Sequence, residues 1–217
     1  FSNKKILISS GATLEKIDEA RAITNLSSGL MGLSLAKAAY VMGANVTVIS
    51  GQSNYEFPSN IKTIKAIDHE SMYQSVIYNI EENDIYISAA AISDYKPSYI
   101  KGKLKKESEK VSLELKKTKD ILSYVGKHFN QKFLVGFAAE SENLIKNAKE
   151  KLILKNLDIL IANEIKHSMG KTKAKMVIVD HHKNIFLPEA EKEVQSKIIL
   201  EYINKKMLEV KTHDSIN

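Results

Sequence analysis

Cysteine and tryptophan are both absent from this chain of 217 residues, and arginine occurs once, as Arg21. Without cysteine there is no disulfide, no thiolate zinc site and no cysteine nucleophile. No apolar run approaches the ~18 residues that a membrane-spanning helix needs. The opening Phe1-Ser2-Asn3-Lys4-Lys5 lacks an apolar signal region, so export is not indicated and a cytoplasmic location is expected. Hydrophobic residues make up 43% and charged residues 27%, which excludes disordered, collagen-like and low-complexity classes. The length suits a single domain, 1–217, with no linker long enough to divide it.

What is abundant is lysine. The formal net charge is +6, and all cations but Arg21 are Lys. A basic balance points to anionic partners such as nucleotides or phosphorylated metabolites. Scattered lysines with almost no arginine are poorly suited to reading bases, which argues against a nucleic-acid-binding module. The six histidines show no metal-ligand spacing, and no Ser-His-Asp set can be assembled.

Along the chain, strand patterns alternate with helix patterns. Lys5–Ser9, Asn45–Ile49, Ile61–Ile67, Ile85–Ala91, Phe133–Ala138 and Asp158–Ala162 read as buried strands. Helices are predicted over Ser27–Met42, from the N-cap Asp68 to Asn83, over Ile121–Phe129 and over Glu142–Lys155. This β-α-β alternation predicts a Rossmann-like α/β fold, an open parallel sheet with helices on both faces. Residues 96–110 are rich in Lys and read as a mobile loop leading into Val111–Leu115. Met176–Val179 and Ile185–Leu187 flank a turn and predict a small C-terminal β-hairpin extension (about 175–188), followed by a helix over Glu189–Glu209.

In such a sheet, ligands sit beyond the carboxyl ends of the strands. Small residues gather there: Ser9-Ser10-Gly11-Ala12-Thr13, Ser88-Ala89-Ala90-Ala91 and Gly136-Phe137-Ala138-Ala139. Ser27-Ser28-Gly29-x-x-Gly32 opens a helix, and its hydroxyls and free amides suit a phosphate. A Ser N-cap followed by a glycine for close helix packing explains the same pattern. Lys151 and Lys155, at i and i+4, can face one anion or simply solvent. A divalent metal would arrive with a nucleotide, with Asp94 as a candidate oxygen ligand.

Taken together, these segments carry a resemblance. The run Gly11-Ala12-Thr13-x-Glu15-x-Ile17-Asp18-x-x-Arg21-x-Ile23-x-Asn25-x-Ser27-Ser28-Gly29-x-Met31-Gly32 resembles the phosphopantothenoylcysteine synthetase family, the phosphopantothenate–cysteine ligases of coenzyme A biosynthesis. So do Ala89-Ala90-Ala91-Ile92-Ser93-Asp94-Tyr95-x-Pro97, Lys103-Leu104-Lys105-Lys106, Thr118-x-Asp120-Ile121-Leu122, Gly136-Phe137-Ala138-Ala139-Glu140 and Lys155-Asn156-Leu157-Asp158-x-x-x-Ala162-Asn163. Nearly the whole chain is covered in order.

The resemblance implies a two-step reaction. CTP with Mg²⁺, as in the bacterial branch, converts the 4′-phosphopantothenate carboxylate into an acyl cytidylate and releases pyrophosphate. The amine of L-cysteine then forms the amide and releases CMP. It implies that Asn25 holds the intermediate and that Lys103 acts in the second step. Ser27, Gly29 and Gly32 line the phosphate site. Ser88, Ala89, Ala90 and Asp94 meet base and ribose, and Lys119, Asp120, Ile121, Leu122, Phe137, Lys151 and Lys155 complete the nucleotide site. Asn163 and Arg21 are further candidates, Arg21 near substrate or a dimer partner. It also implies a homodimer formed through the final hairpin, and a fused or partner decarboxylase, which Phe1 fits as a cut end. Ala12, Leu26, Leu30 and Lys119 depart from the usual family residues.

Two alternatives stand beside it: an ATP-using form of the same ligase, and a nicotinamide-dependent short-chain oxidoreductase. The latter would use Tyr99/Lys103 or Tyr202/Lys206. Ser50-Gly51, however, stands where an acidic residue would grip a ribose.

Overall fold

The structure is a computed structural model that describes residues 1–105, 109–168 and 171–214. Strand β1 (Lys5–Ser10) runs into an antiparallel ribbon, β2 (Leu14–Lys16) and β3 (Ala22–Thr24), before helix α1 (Leu30–Val41). Next come β4 (Asn45–Ser50), β5 (Lys62–Lys65), α2 (His69–Ile80) and β6 (Ile85–Ser88). A second ribbon pairs β7 (Tyr95–Pro97) with β8 (Leu115–Lys117). Then follow α3 (Ile121–His128), β9 (Phe133–Glu140), α4 (Leu144–Leu154), β10 (Ile159–Glu164) and the short α5 (Ile165–Ser168). The chain closes with β11 (Lys173–Ala174), β12 (Met176–Asp180), β13 (Asn184–Phe186), β14 (Ala190–Glu191) and α6 (Lys192–Asp214).

Eight strands form the central sheet in the order β13-β12-β10-β9-β6-β1-β4-β5. The six from β5 to β10 are mutually parallel, and β12 and β13 continue the sheet antiparallel. The parallel part has the doubly wound order, in which the chain reverses direction across the sheet between β1 and β6.

Strand alternation builds two cores. Ile6 and Ile8, Ile85 and Ile87, and Ile159 and Ile161 point to one face, where Leu35, Ala36 and Ala39 of α1 and Ile199, Leu200 and Ile203 of α6 cover them. Leu7, Tyr86 and Leu160 point to the other, under Met72, Val76 and Ile80 of α2, Ile121 and Val125 of α3, and Ala148 and Leu152 of α4. Asp68 caps α2 as predicted: its carboxylate accepts from the Ser71 amide at 2.8 Å while Ser71 Oγ accepts from the Asp68 amide at 3.2 Å.

Four expectations change in detail. The final hairpin extends the central sheet itself: β12 is buried throughout and pairs with β10 from Ile159/Asp180 to Asn163/Met176. Helix α1 begins at Leu30, leaving Ser27–Gly29 as the turn before it. Strand β6 ends at Ser88, and Ala91 forms an isolated bridge with Ala12. The last helix begins at Lys192.

Candidate functional site

Two clefts open at the carboxyl ends of β1, β6, β9 and β10. The first, of about 170 Å³, is lined by Ser27, Ser28, Gly29, Leu30 and Met31 at the start of α1. Ala89–Ala91 after β6, Phe137–Ala139 on β9, Asn163 on β10, Met176 and Lys192 complete it. The second, of about 140 Å³, lies on the other side of Ala90. Ser88, Ile92, Ser93, Asp94, Thr118, Lys119, Asp120, Ile121, Leu122 and Lys155 line it, and Ala90 and Phe137 belong to both.

Local chemistry explains the first cleft. Gly29, at φ 80°, turns the chain into α1 in a conformation that L side chains adopt only with strain, and a Cβ there would meet Ser53 Oγ at 2.4 Å. Ser27 and Ser28 hydroxyls each lie 3.4 Å from the backbone amide two residues on, a long and weak cap. No acidic side chain occupies the first turn of α1. The amides there remain available to an anion, and the helix dipole favours one.

The loop after β6 is held to β1 by backbone bonds from Ala89 to Ser9 and from Ala91 to Gly11. Asn25 Nδ2 donates to the Ala91 carbonyl at 3.0 Å and so stands beside the same loop. Ala12 needs no glycine, because it is Gly11 that takes the positive φ of 80°.

In the second cleft, Asp120 caps α3 by accepting from the Ser123 amide at 2.9 Å, and pairs with Lys155 Nζ at 2.8 Å. Burial works against its ionisation, but the Lys155 ammonium and the Ser123 amide outweigh it and hold the carboxyl below its ordinary value. The Lys119 ammonium lies 4.8 Å from the centre of the Tyr73 ring, and the Lys119 carbonyl contacts His69 Nε2 at 2.7 Å.

The first cleft thus gathers Ser27, Gly29, Ala89, Ala90, Phe137 and Asn163. The second gathers Ser88, Ala90, Asp94, Lys119, Asp120, Ile121, Leu122, Phe137 and Lys155. Other predicted residues stand apart. Gly32 lines neither cleft; it lets α1 approach β1, since a Cβ would lie 2.0 Å from Ser10 Oγ. Lys151 pairs with Glu140 at 2.5 Å, so the i and i+4 lysines serve different carboxylates. Lys103 is exposed, and Lys106 lies outside the described residues.

The lysine loop is nonetheless moored. Asp18, buried in the turn between β2 and β3, accepts from Arg21 Nε at 2.9 Å and from the Leu104 amide at 3.0 Å, while Arg21 Nη2 donates to the Leu104 carbonyl at 2.8 Å. The Arg21 guanidinium, above all, holds the Asp18 carboxyl well below the usual carboxylate range. Arg21 thus anchors the residue next to Lys103.

Sequence reasoning missed Lys192, a buried cation in the first cleft, together with Met31 and Met176. Among the described residues, no group of three or more His, Asp or Glu side chains could hold a metal by itself. The oxidoreductase pair Tyr202/Lys206 is engaged elsewhere: both bind Asp180, at the opposite end of the sheet from the clefts.

A family profile described as the DNA/pantothenate metabolism flavoprotein C-terminal domain matches residues 1–207. The coenzyme A biosynthesis bifunctional protein CoaBC of Borreliella burgdorferi is 40% identical over 207 residues, covering 94% of this chain and 53% of that one. The protein of the same name from Vibrio vulnificus is 42% identical over 169 residues, 76% of this chain and 42% of that one. The chain spans about half the length of these curated relatives. A crystal structure of the C-terminal domain of a CoaBC protein superposes with TM-score 0.83 at 33% identity, covering 96% of this chain and 97% of that one. A Cab2 mutant solved in complex with phosphopantothenate-cysteine gives TM-score 0.80 at 15% identity, covering 98% and 89%; at that identity the likeness is one of fold.

Proposed function

Since this chain belongs to the family of DNA/pantothenate metabolism flavoprotein C-terminal domains, we propose that it is the ligase joining 4′-phosphopantothenate to L-cysteine, with CTP as the activating nucleotide. The observation that carries this reading is the paired cleft where the strand order reverses. One half offers hydroxyls and helix amides to phosphates, and the other offers lysines and backbone groups to a nucleoside.

The substrate carboxylate attacks the α-phosphorus of CTP. A new C–O–P linkage forms, the α–β phosphoanhydride bond breaks, and pyrophosphate leaves. The cysteine amine then attacks the acyl carbon, losing a proton as the amide forms, and CMP leaves. The chain supplies position and charge for both steps. Ser27, Gly29 and the α1 amides receive phosphoryl oxygens. Lys119 and Lys155 flank the nucleoside with Asp120 and the Ser88–Ala90 backbone. The Asn25 amide, steadied by Ala91, meets the acyl nucleotide, and Lys103 closes over it from a loop whose stem Arg21 and Asp18 secure. Such closure excludes the water that would hydrolyse the intermediate. Mg²⁺ carried by the triphosphate would neutralise part of its charge, and Asp94 would be the oxygen ligand that this chain contributes.

In the cell the unit works in the cytoplasm as a homodimer, fused to or partnered with the decarboxylase that takes its product. The assay is formation of 4′-phosphopantothenoylcysteine from 4′-phosphopantothenate, L-cysteine and Mg²⁺ with CTP or ATP. Cysteine-dependent product with CTP is the expected result, and an Asn25→Ala variant should lose roughly 10²–10³-fold in turnover. Product with ATP alone would replace the nucleotide; none with either would overturn the ligase reading.

A further inference from the structure

Helix α2 lines neither cleft, yet it holds the turn that borders the second one. Thr118 ties one end of that turn to the loop after β6, its amide to the Asp94 carbonyl at 2.9 Å and its hydroxyl to the Ser93 carbonyl at 2.7 Å. Asp120 caps α3 at the other end. Between them, Lys119 is held from α2 at two points. His69 Nε2 lies 2.7 Å from the Lys119 carbonyl, and Tyr73, one turn further along α2, sets the centre of its ring 4.8 Å from the Lys119 ammonium. Residues at i and i+4 share a helix face, so one face of α2 takes hold of backbone and side chain together.

The cost of this arrangement marks it. The His69 residue is 2% exposed, and among the described residues its Nδ1 has no hydrogen-bond partner. A buried polar nitrogen left unmatched costs stability that an apolar ring would not. What the imidazole adds is a donor: a carbonyl can only accept, so the bond to Lys119 requires a proton on Nε2. The His69 amide in turn donates to Glu15 Oε1 at 2.8 Å, and Glu15 is buried on β2. That strand leads into the turn where Asp18 and Arg21 secure Leu104. Contacts thus run without a break from the base of the lysine loop to the edge of the second cleft.

We propose that His69 and Tyr73 are positioning residues for the second cleft. They fix Lys119, and with it the turn into α3 against which the nucleotide seats. Their part in nucleotide use rests on the ligase reading; their grip on Lys119 does not.

Steady-state kinetics and amide hydrogen exchange on wild type, His69→Phe, His69→Gln and Tyr73→Leu test this. Phenylalanine fills the space of the ring without a donor, whereas the glutamine amide can place an N–H where imidazole Nε2 stands. In His69→Phe the amides of Ser123 and Tyr124, both bonded to Asp120, should exchange about tenfold faster. KM for the activating nucleotide should rise about tenfold, the size of one lost hydrogen bond, while KM for L-cysteine holds. His69→Gln should restore both in large part. Tyr73→Leu keeps the bond to the carbonyl and should raise KM for the nucleotide only about threefold. Unchanged exchange in His69→Phe, an unchanged nucleotide KM in active enzyme, or a loss that glutamine does not rescue overturns the proposal. A wild type inactive with both CTP and ATP, whose turn still loosens in His69→Phe, sinks only the ligase reading. If His69→Phe fails to fold, NMR of the wild-type imidazole decides: a proton on Nε2 supports the bond to Lys119, and a bare Nε2 refutes it.

Discussion

The approach of α1 to β1 can be tested by moving a single methyl group. At Gly32 a Cβ would lie 2.0 Å from Ser10 Oγ, 2.3 Å from Ser10 Cβ and 3.2 Å from Ser10 Cα. Carbon atoms in contact sit about 3.5–4.0 Å apart, so no rotamer of Ser10 relieves the overlap. Either the strand at the fully buried Ser10 or the helix must shift. Overpacking of this kind costs about 3 kcal/mol, at the upper end of its usual range. Alanine returns about 1 kcal/mol of helix propensity, leaving a net loss of about 2 kcal/mol and a fall in thermal midpoint of about 4–8 °C. Ser10→Gly alone should cost about 1.5 kcal/mol, from strand entropy and the 3.3 Å bond to the Gly29 carbonyl. The double variant keeps only the 3.2 Å approach to the residue 10 Cα and should lie within about 1 kcal/mol of wild type, a coupling of about 3 kcal/mol between the two sites. Urea titrations at constant m-value measure all four proteins. A Gly32→Ala protein within about 0.5 kcal/mol of wild type, or strictly additive substitutions, would refute the close-approach account.

Asp120→Ala removes both the α3 cap and the partner of Lys155 and should cost about 1–2 kcal/mol, whereas Asp120→Asn keeps the cap and should cost less than half of that in the same titration. Burial disfavours ionised Asp180, but the Tyr202 hydroxyl, the Lys206 ammonium and the amides of Lys183 and His182 outweigh it and hold its carboxyl below the unfolded value of 3.8. The folded state therefore binds fewer protons there, and the stability that Asp180 adds at neutral pH drains away as pH falls below about 4. Asp180→Asn should lower stability at pH 7 by roughly 2–3 kcal/mol and flatten the acid limb of the thermal midpoint against pH. Light scattering at micromolar concentration should give twice the chain mass; the mass of one chain would remove the dimer.

The sheet was legible because short apolar runs that end in small residues, as in Lys5–Ser10 and Ile85–Ser88, read as buried strands, and Asp68 and Ser71 mark their helix start locally. The two ribbons were not, since Leu14-Glu15-Lys16 and Tyr95-Lys96-Pro97 are too short to show a period. The hairpin was visible, but its docking on β10 depends on a partner strand more than ten residues upstream. At the site, the small residues after each strand announced the clefts because a parallel sheet assigns them a place. Gly32 was ambiguous between phosphate contact and packing until Ser10 was seen beneath it. Lys151 and Lys155 had the spacing to converge, yet Glu140 draws one aside. Lys192 had no local signal: it is one lysine in a lysine-rich chain, and its burial comes from β11, β14 and the turn of α1 across the cleft.

Ala90 and Phe137 form a partition with a ligand space on either side. Two residues that border both spaces make them thermodynamically communicating vessels. Any group that moves the Phe137 ring or the Ala90 backbone on entering one side alters the free energy of filling the other. Linkage then requires the effect to be mutual: whatever factor the first ligand applies to the second, the second applies to the first. Order of addition and synergy between two ligands would therefore be set at Ala90 and Phe137, where even one added methyl group at Ala90 would change both binding constants together.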